Sequence, residues 1–142
     1  MRVYDTVVGT VRPGNGSYAL ISEEGLTGST GFAVLRPKKA EYADFVYLAT
    51  TAPDNITWLA HLADGGAYPA VRPEIVTATE VILPSDDVLR SFSHMVRPLL
   101  SKSAQNERES RTLAALRDAL LPKLLSGELR VHEAERLVAE QV

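Results

Sequence analysis

Apolar and polar positions follow two rhythms along this chain, and the change falls near Pro84. Before it, apolar residues come in short, β-branched runs broken by glycine. Thr6-Val7-Val8-Gly9-Thr10-Val11 predicts a strand, Ser17 to Ser22 a second and Gly31 to Leu35 a third. Pro13-Gly14-Asn15-Gly16 marks the turn between the first two, because glycine and asparagine tolerate positive φ. Glu41 to Thr51 and Asn55 to Ala63 read as helices, with Asp54 as the N-cap of the second and Gly65-Gly66 as its end. Thr79 to Leu83 reads as a closing strand. The predicted fold class is α+β.

After Pro84 the period becomes helical. Ser85 or Asp86 caps a start, and Val88, Leu89, Phe92, Met95, Val96, Leu99 and Leu100 form an apolar stripe. A polar stretch from Ser101 to Thr112 follows, and apolar residues resume at Leu113, Leu116, Leu120, Leu121, Leu124 and Leu125. The register survives the gap: Phe92, Leu99, Asn106, Leu113 and Leu120 fall seven apart, with Asn106 the polar member. A helix from Asp86 to Leu121 would be roughly 50 Å long, more than a small domain can cover. A coiled-coil-type pairing through Leu99, Asn106, Leu113, Leu116 and Leu120 is therefore expected, with Asn106 fixing register. Pro122 lacks an N–H and predicts a break or kink at Leu121, and Gly127 a C-cap. His132 to Gln141 predicts a short amphipathic helix with Ala134, Leu137 and Val138 on one face.

Composition changes this picture little. The 142 residues have the apolar and charged content of a globular protein and no cysteine, which excludes disulfides and thiolate metal sites and fits a reducing cytoplasm. No signal-peptide pattern opens the chain, and no apolar run approaches the roughly 20 residues of a membrane helix. Charge argues against a basic DNA-binding face. Before Pro84, Arg2, Arg12, Arg36, Lys38, Lys39 and Arg72 stand against nine acidic residues, and after it the two signs cancel.

Catalytic signals are missing. His61, His94 and His132 are scattered and sit in no metal-ligand spacing, so neither a metal site nor a cofactor is expected. Arg12-Pro13-Gly14-Asn15-Gly16-Ser17 could cradle a phosphate through its backbone N–H groups. It lies between two predicted strands, however, and lacks a lysine, so a β-turn suffices. Glu23-Glu24 and Asp86-Asp87 read as solvated surface. No catalytic residue is assigned.

Four stretches, in order, resemble the type I restriction–modification specificity subunits. Val8-Gly9-Thr10-Val11-Arg12-Pro13-Gly14-Asn15-Gly16 resembles the strand–turn of their target-recognition domains, and Gly28 to Pro37 the segment that follows. Gly65-Gly66-Ala67-Tyr68-Pro69-Ala70-Val71 is similar to their glycine–aromatic loop. Gln105-Asn106-Glu107 with Leu113 to Val131 is similar to the end of their conserved helix. The resemblance implies a non-catalytic protein of α+β class: a partial target-recognition domain over residues 1–84, a long pairing helix over 85–127, and a tail with a short helix over 128–142.

It also implies partners: double-stranded DNA, methyltransferase (modification) subunits and a motor–nuclease (restriction) subunit, in the cytoplasm. Antiparallel pairing of two copies through the long helix, a homodimer, is a separate hypothesis for a truncated chain. Base-reading residues are not fixed by family motif. On chemistry alone the candidates are Arg12 and Arg72 for phosphate or guanine, Asn15 and Ser17 for a base edge or phosphate, and Tyr68 for packing on sugar or base. Two departures are visible. The opening portion of a recognition domain and a whole second domain are absent, which predicts a truncated subunit. Leu83-Pro84-Ser85-Asp86-Asp87 also replaces the family's proline-rich entry to the helix with its Glu-Gln pair. The rival expectations are an inactive remnant acting only as a helix-mediated interaction module, and a small enzyme for a phosphorylated ligand.

Overall fold

A computed structural model describes residues 1–139. The chain forms two compact units, residues 1–99 and the residues from Leu100 onward. In the first, β1 (Thr6–Gly9) lies between β2 (Tyr18–Leu20) and β3 (Phe32–Leu35) in an antiparallel sheet of order β2-β1-β3. Val7 pairs with Ala19 on one side and Val34 on the other. All four residues of β1 are buried, as expected of a central strand.

Val8 and Ala33 face each other across the β1–β3 pair and point into the core, where they meet Leu59, Val71 and Val76. Leu59 comes from α2 (Pro53–Leu62) and Val76 from α3 (Pro73–Thr77). On β3, Ala33 is buried while Phe32 and Val34 stay partly exposed, the period-two alternation of a half-covered strand. A 3₁₀ turn, Ala40–Tyr42, leads into α1 (Ala43–Thr50). The end of α1 is tied down by side chains: the Thr51 hydroxyl donates to the Tyr47 carbonyl at 2.7 Å, and the Asn55 amide to the Thr50 carbonyl at 2.7 Å.

α4 runs from Asp86 to Ser126. Within the first unit it buries Leu89 and Ser93. The Ser93 hydroxyl donates to the buried Asp44 carboxylate, which also accepts from Arg97 Nε at 3.0 Å. Asp86 accepts from Lys39 at 2.8 Å and from the Tyr42 hydroxyl at 2.6 Å. Those two donors hold its carboxyl below the ordinary range. An acid in the first turn also suits the helix dipole.

In the second unit, Leu116, Leu120, Leu124 and Leu129 are half-buried, while Leu113, Leu121 and Leu125 are exposed. Gly127, at φ 76°, ends α4 as expected, with its N–H on the Leu124 carbonyl. α5 (Val131–Ala139) follows, and on its face Ala134 is buried, Val138 half-buried and Leu137 exposed. Gln141, where the last predicted helix was to end, lies outside the described residues.

Four local expectations are corrected. Thr79 to Leu83 forms no strand: no neighbouring strand reaches it, and β propensity without a partner does not make a ladder. Asp54 is not the N-cap; Pro53 takes the first helical position, where its missing N–H costs nothing, and Ala52 is the cap. Gly65-Gly66 does not end α2, which stops at Leu62 with Ala63 already extended. Pro122 does not break α4 at Leu121, because Lys123 to Ser126 complete one more turn before Gly127 closes the helix. Pro98 is likewise carried inside it. Each proline leaves one carbonyl, of His94 and of Asp118, without its helical N–H donor.

Candidate nucleic-acid interface

Beyond Gly9 the chain leaves the sheet but keeps extended pairing. The Thr10 N–H donates to the Gly31 carbonyl at 2.8 Å, and the Thr10 carbonyl accepts from Val71 at 2.9 Å. Val11 then bridges Ala70 antiparallel, and the Arg12 N–H donates to the Pro69 carbonyl at 2.7 Å. At Arg12 the backbone enters the left-handed region, φ 48°, which a side chain tolerates at a cost of about 1–2 kcal/mol. That reversal starts a 3₁₀ turn, Pro13–Asn15, closed by Gly16 at φ 66°. Ser17 returns to the sheet, its carbonyl accepting from Gly9 at 2.6 Å.

The partner loop is built by glycine. The Asp64 carboxylate accepts the Gly65 N–H at 2.7 Å, Gly65 adopts φ 122° and Gly66 φ 59°, and Asp64 bridges Ala70. A Cβ on Gly65 would come within 3.0 Å of the Tyr68 carbonyl, so the position has neither the conformation nor the room for a side chain. The loop thereby presents Tyr68 outward, 69% exposed.

Arg12 joins the two loops. Its guanidinium donates to the Ala67 carbonyl at 2.9 Å and lies 4.5 Å from the centroid of the Tyr68 ring. Of the five base- or phosphate-contact candidates, the fold brings Arg12, Asn15, Ser17 and Tyr68 onto this pair of loops. Arg72 follows Val71, the residue bonded to Thr10, and stands exposed at the cap of α3, with no side-chain partner among the described residues. The Arg12–Ser17 loop joins antiparallel strands and opens no helix longer than its own 3₁₀ turn.

Sequence reasoning did not find Ala67, whose carbonyl anchors Arg12; a small apolar residue carries no signal for a backbone role. Nor did it find the support beside the sheet, where Asp5, 1% exposed, accepts from Arg36 at 2.8 Å (Nε) and 2.7 Å (Nη2). The bidentate Arg36 holds the Asp5 carboxyl below its ordinary value, and burial only partly opposes this. Among the described residues no group of acids or histidines could hold a metal ion. No helix there is long and apolar enough to cross a membrane.

Comparison with known proteins gives the same direction as the residues. The chain is 32% identical over 94 residues to the type I restriction enzyme HindI specificity subunit of Haemophilus influenzae, and 35% identical over 75 residues to the MjaIX specificity subunit of Methanocaldococcus jannaschii. This chain is similar to part of a type I specificity subunit. The matches take in 66% and 53% of its residues. It spans about one fifth of the length of these specificity subunits, 20% of the first and 17% of the second. No family profile and no solved structure matches it.

Proposed function

We propose that this chain is a non-catalytic DNA-recognition element of a type I restriction–modification system. The observation that carries the reading is the similarity to two specificity subunits from distant organisms. The loop pair supports it: an exposed tyrosine, a turn with Asn15 and Ser17, and exposed Arg72 offer the groups that contact sugar, phosphate and base edges. Arg12 shapes this surface, since its guanidinium already serves Ala67 and Tyr68. Double-stranded DNA is the ligand, and the work is done in the cytoplasm with methyltransferase (modification) subunits and a motor–nuclease (restriction) subunit.

In this reading residues 1–84 are a partial recognition domain, 85–127 a pairing helix and 128–142 its tail. The helix pairs with a second copy through Leu99, Asn106, Leu113, Leu116 and Leu120, making a two-fold homodimer with a recognition domain at each end. Exposed Leu99, Asn106 and Leu113 support that use. The net acidity of the first 83 residues is met by basic surface on the partner subunits.

The test is selection of random DNA duplexes by the chain with and without methyltransferase subunits at two salt concentrations. Enrichment of a defined half-site that Tyr68→Ala and Arg72→Ala each weaken supports the reading. Absence of any enrichment in both settings contradicts it.

A second reading has one observation in its favour, the acidic balance of the recognition half. There the chain keeps only the helix-mediated docking and no DNA affinity. Co-purification with a methyltransferase subunit in the absence of DNA enrichment separates it from the first.

A further inference from the structure

An open cavity of about 720 Å³ lies away from the Arg12–Tyr68 loops, between the end of α1, the first turns of α2 and the segment after α3. Its lining includes Trp58, the chain's only tryptophan, together with Asp54, Asn55 and Glu80, and no cation. The Asn55 amide is taken up by the Thr50 carbonyl. Asp54 and Glu80 have no hydrogen bond or ion pair among the described residues. Three other acids of this unit hold cations: Asp5 holds Arg36, Asp44 holds Arg97, and Asp86 holds Lys39. Two unneutralised carboxylates beside a partly exposed indole make the charge and shape complement of a planar cation, which gains from both an aromatic face and charge-assisted hydrogen bonds.

The chain leaving the cavity adds a second feature. After Glu80 come Val81, Ile82 and Leu83, all exposed, Ile82 by 93%. Their backbone N–H and carbonyl groups pair with no other backbone group among the described residues. An exposed apolar segment whose backbone groups are unpaired can take up another chain in strand fashion.

We propose that this cavity receives an arginine side chain from an extended segment of a partner protein, whose backbone lies along Val81 to Leu83. The guanidinium stacks on Trp58 and donates to Asp54 and Glu80. Arginine fits better than lysine, because only the planar guanidinium can stack on the indole and fork toward two carboxylates at once. This inference goes beyond the DNA reading and does not depend on it.

The test uses the full chain without DNA and the fluorescence of Trp58 as readout. The probe is a blocked peptide, acetyl-Val-Thr-Arg-Val-Thr-amide, titrated to about 10 mM, the range of a single weak subsite. Its twin carries citrulline, the neutral isostere, in place of arginine. The expected result is a saturable change with the arginine peptide, weakened about ten-fold or more with citrulline and in Glu80→Gln. Glu80 lies outside any helix, and an unchanged melting temperature shows that the variant folds. No saturable change, equal affinity for the citrulline twin, or unchanged affinity in a folded Glu80→Gln overturns the proposal.

Discussion

The Arg12 guanidinium lies 4.5 Å from the centre of the Tyr68 ring while it donates to the carbonyl of Ala67, so one side chain clasps two loops far apart in sequence. The clasp has an opposing term. Arg12 sits at φ 48°, and a residue without a Cβ would hold that backbone at less cost. Arg12→Ala should destabilise the unit, because it loses the clasp and keeps the strain. Arg12→Gly loses the same clasp but sheds the strain, and should be more stable than Arg12→Ala by about 1 kcal/mol. Urea denaturation of the two variants measures the difference. An Arg12→Gly variant less stable than Arg12→Ala would show that the backbone there is not strained.

The Asp5–Arg36 pair predicts a pH dependence. Arg36 lowers the folded pKa of Asp5 below its ordinary value, near 3.8. The pair's contribution is therefore fully present above that value, and it is lost as pH falls through the lowered folded one. Replacing Asp5 with Asn should make the melting temperature fall less steeply than in the parent between about pH 5 and pH 2. Parallel acid limbs in the two proteins would show that this pair contributes nothing to acid sensitivity.

Asp44 is buried, and its partners come from α4. Ser93→Ala removes one donor to a buried carboxylate and should cost about 1–3 kcal/mol. In an Asp44→Ala background the same change has no carboxylate left to orphan and should cost much less. A coupling energy of more than about 0.5 kcal/mol in the double-mutant cycle is the expected reading. Strict additivity would mean that Ser93 acts through packing alone.

The proposed helix pairing predicts a change of mass. Leu113 is about half-exposed and Leu120 half-buried in the single chain. Replacing both with Asp puts charges in the seam and should convert a dimer to a monomer in sedimentation velocity. An unchanged sedimentation coefficient rules out pairing through these residues.

What was legible in the sequence follows where the determining physics is local. β1 is legible in its β-branched run Thr6-Val7-Val8 before Gly9, β3 in the apolar Phe32 to Leu35 between Gly31 and Pro37, and α4 because its cap, stripe and closing Gly127 agree. Thr79 to Leu83 carries the same β-branched signal, yet a strand also needs a neighbour, and none comes within reach. α3 is a single turn after Pro73, too short to show a period. Pro122 does not end α4, because a penalty of about 3 kcal/mol is met by the helix around it. At the site, Arg12 and Tyr68 were both visible as chemistry. Their contact was not, since it depends on how the Gly65–Val71 loop packs against the end of β1.

The most direct test of the central claim is enrichment of duplexes from a random DNA pool by this chain together with methyltransferase subunits. The predicted result is a defined half-site, retained at higher salt and weakened by Tyr68→Ala in a protein whose melting temperature is unchanged. A pool that stays random while the subunits co-purify would contradict DNA recognition and leave α4 as a docking element.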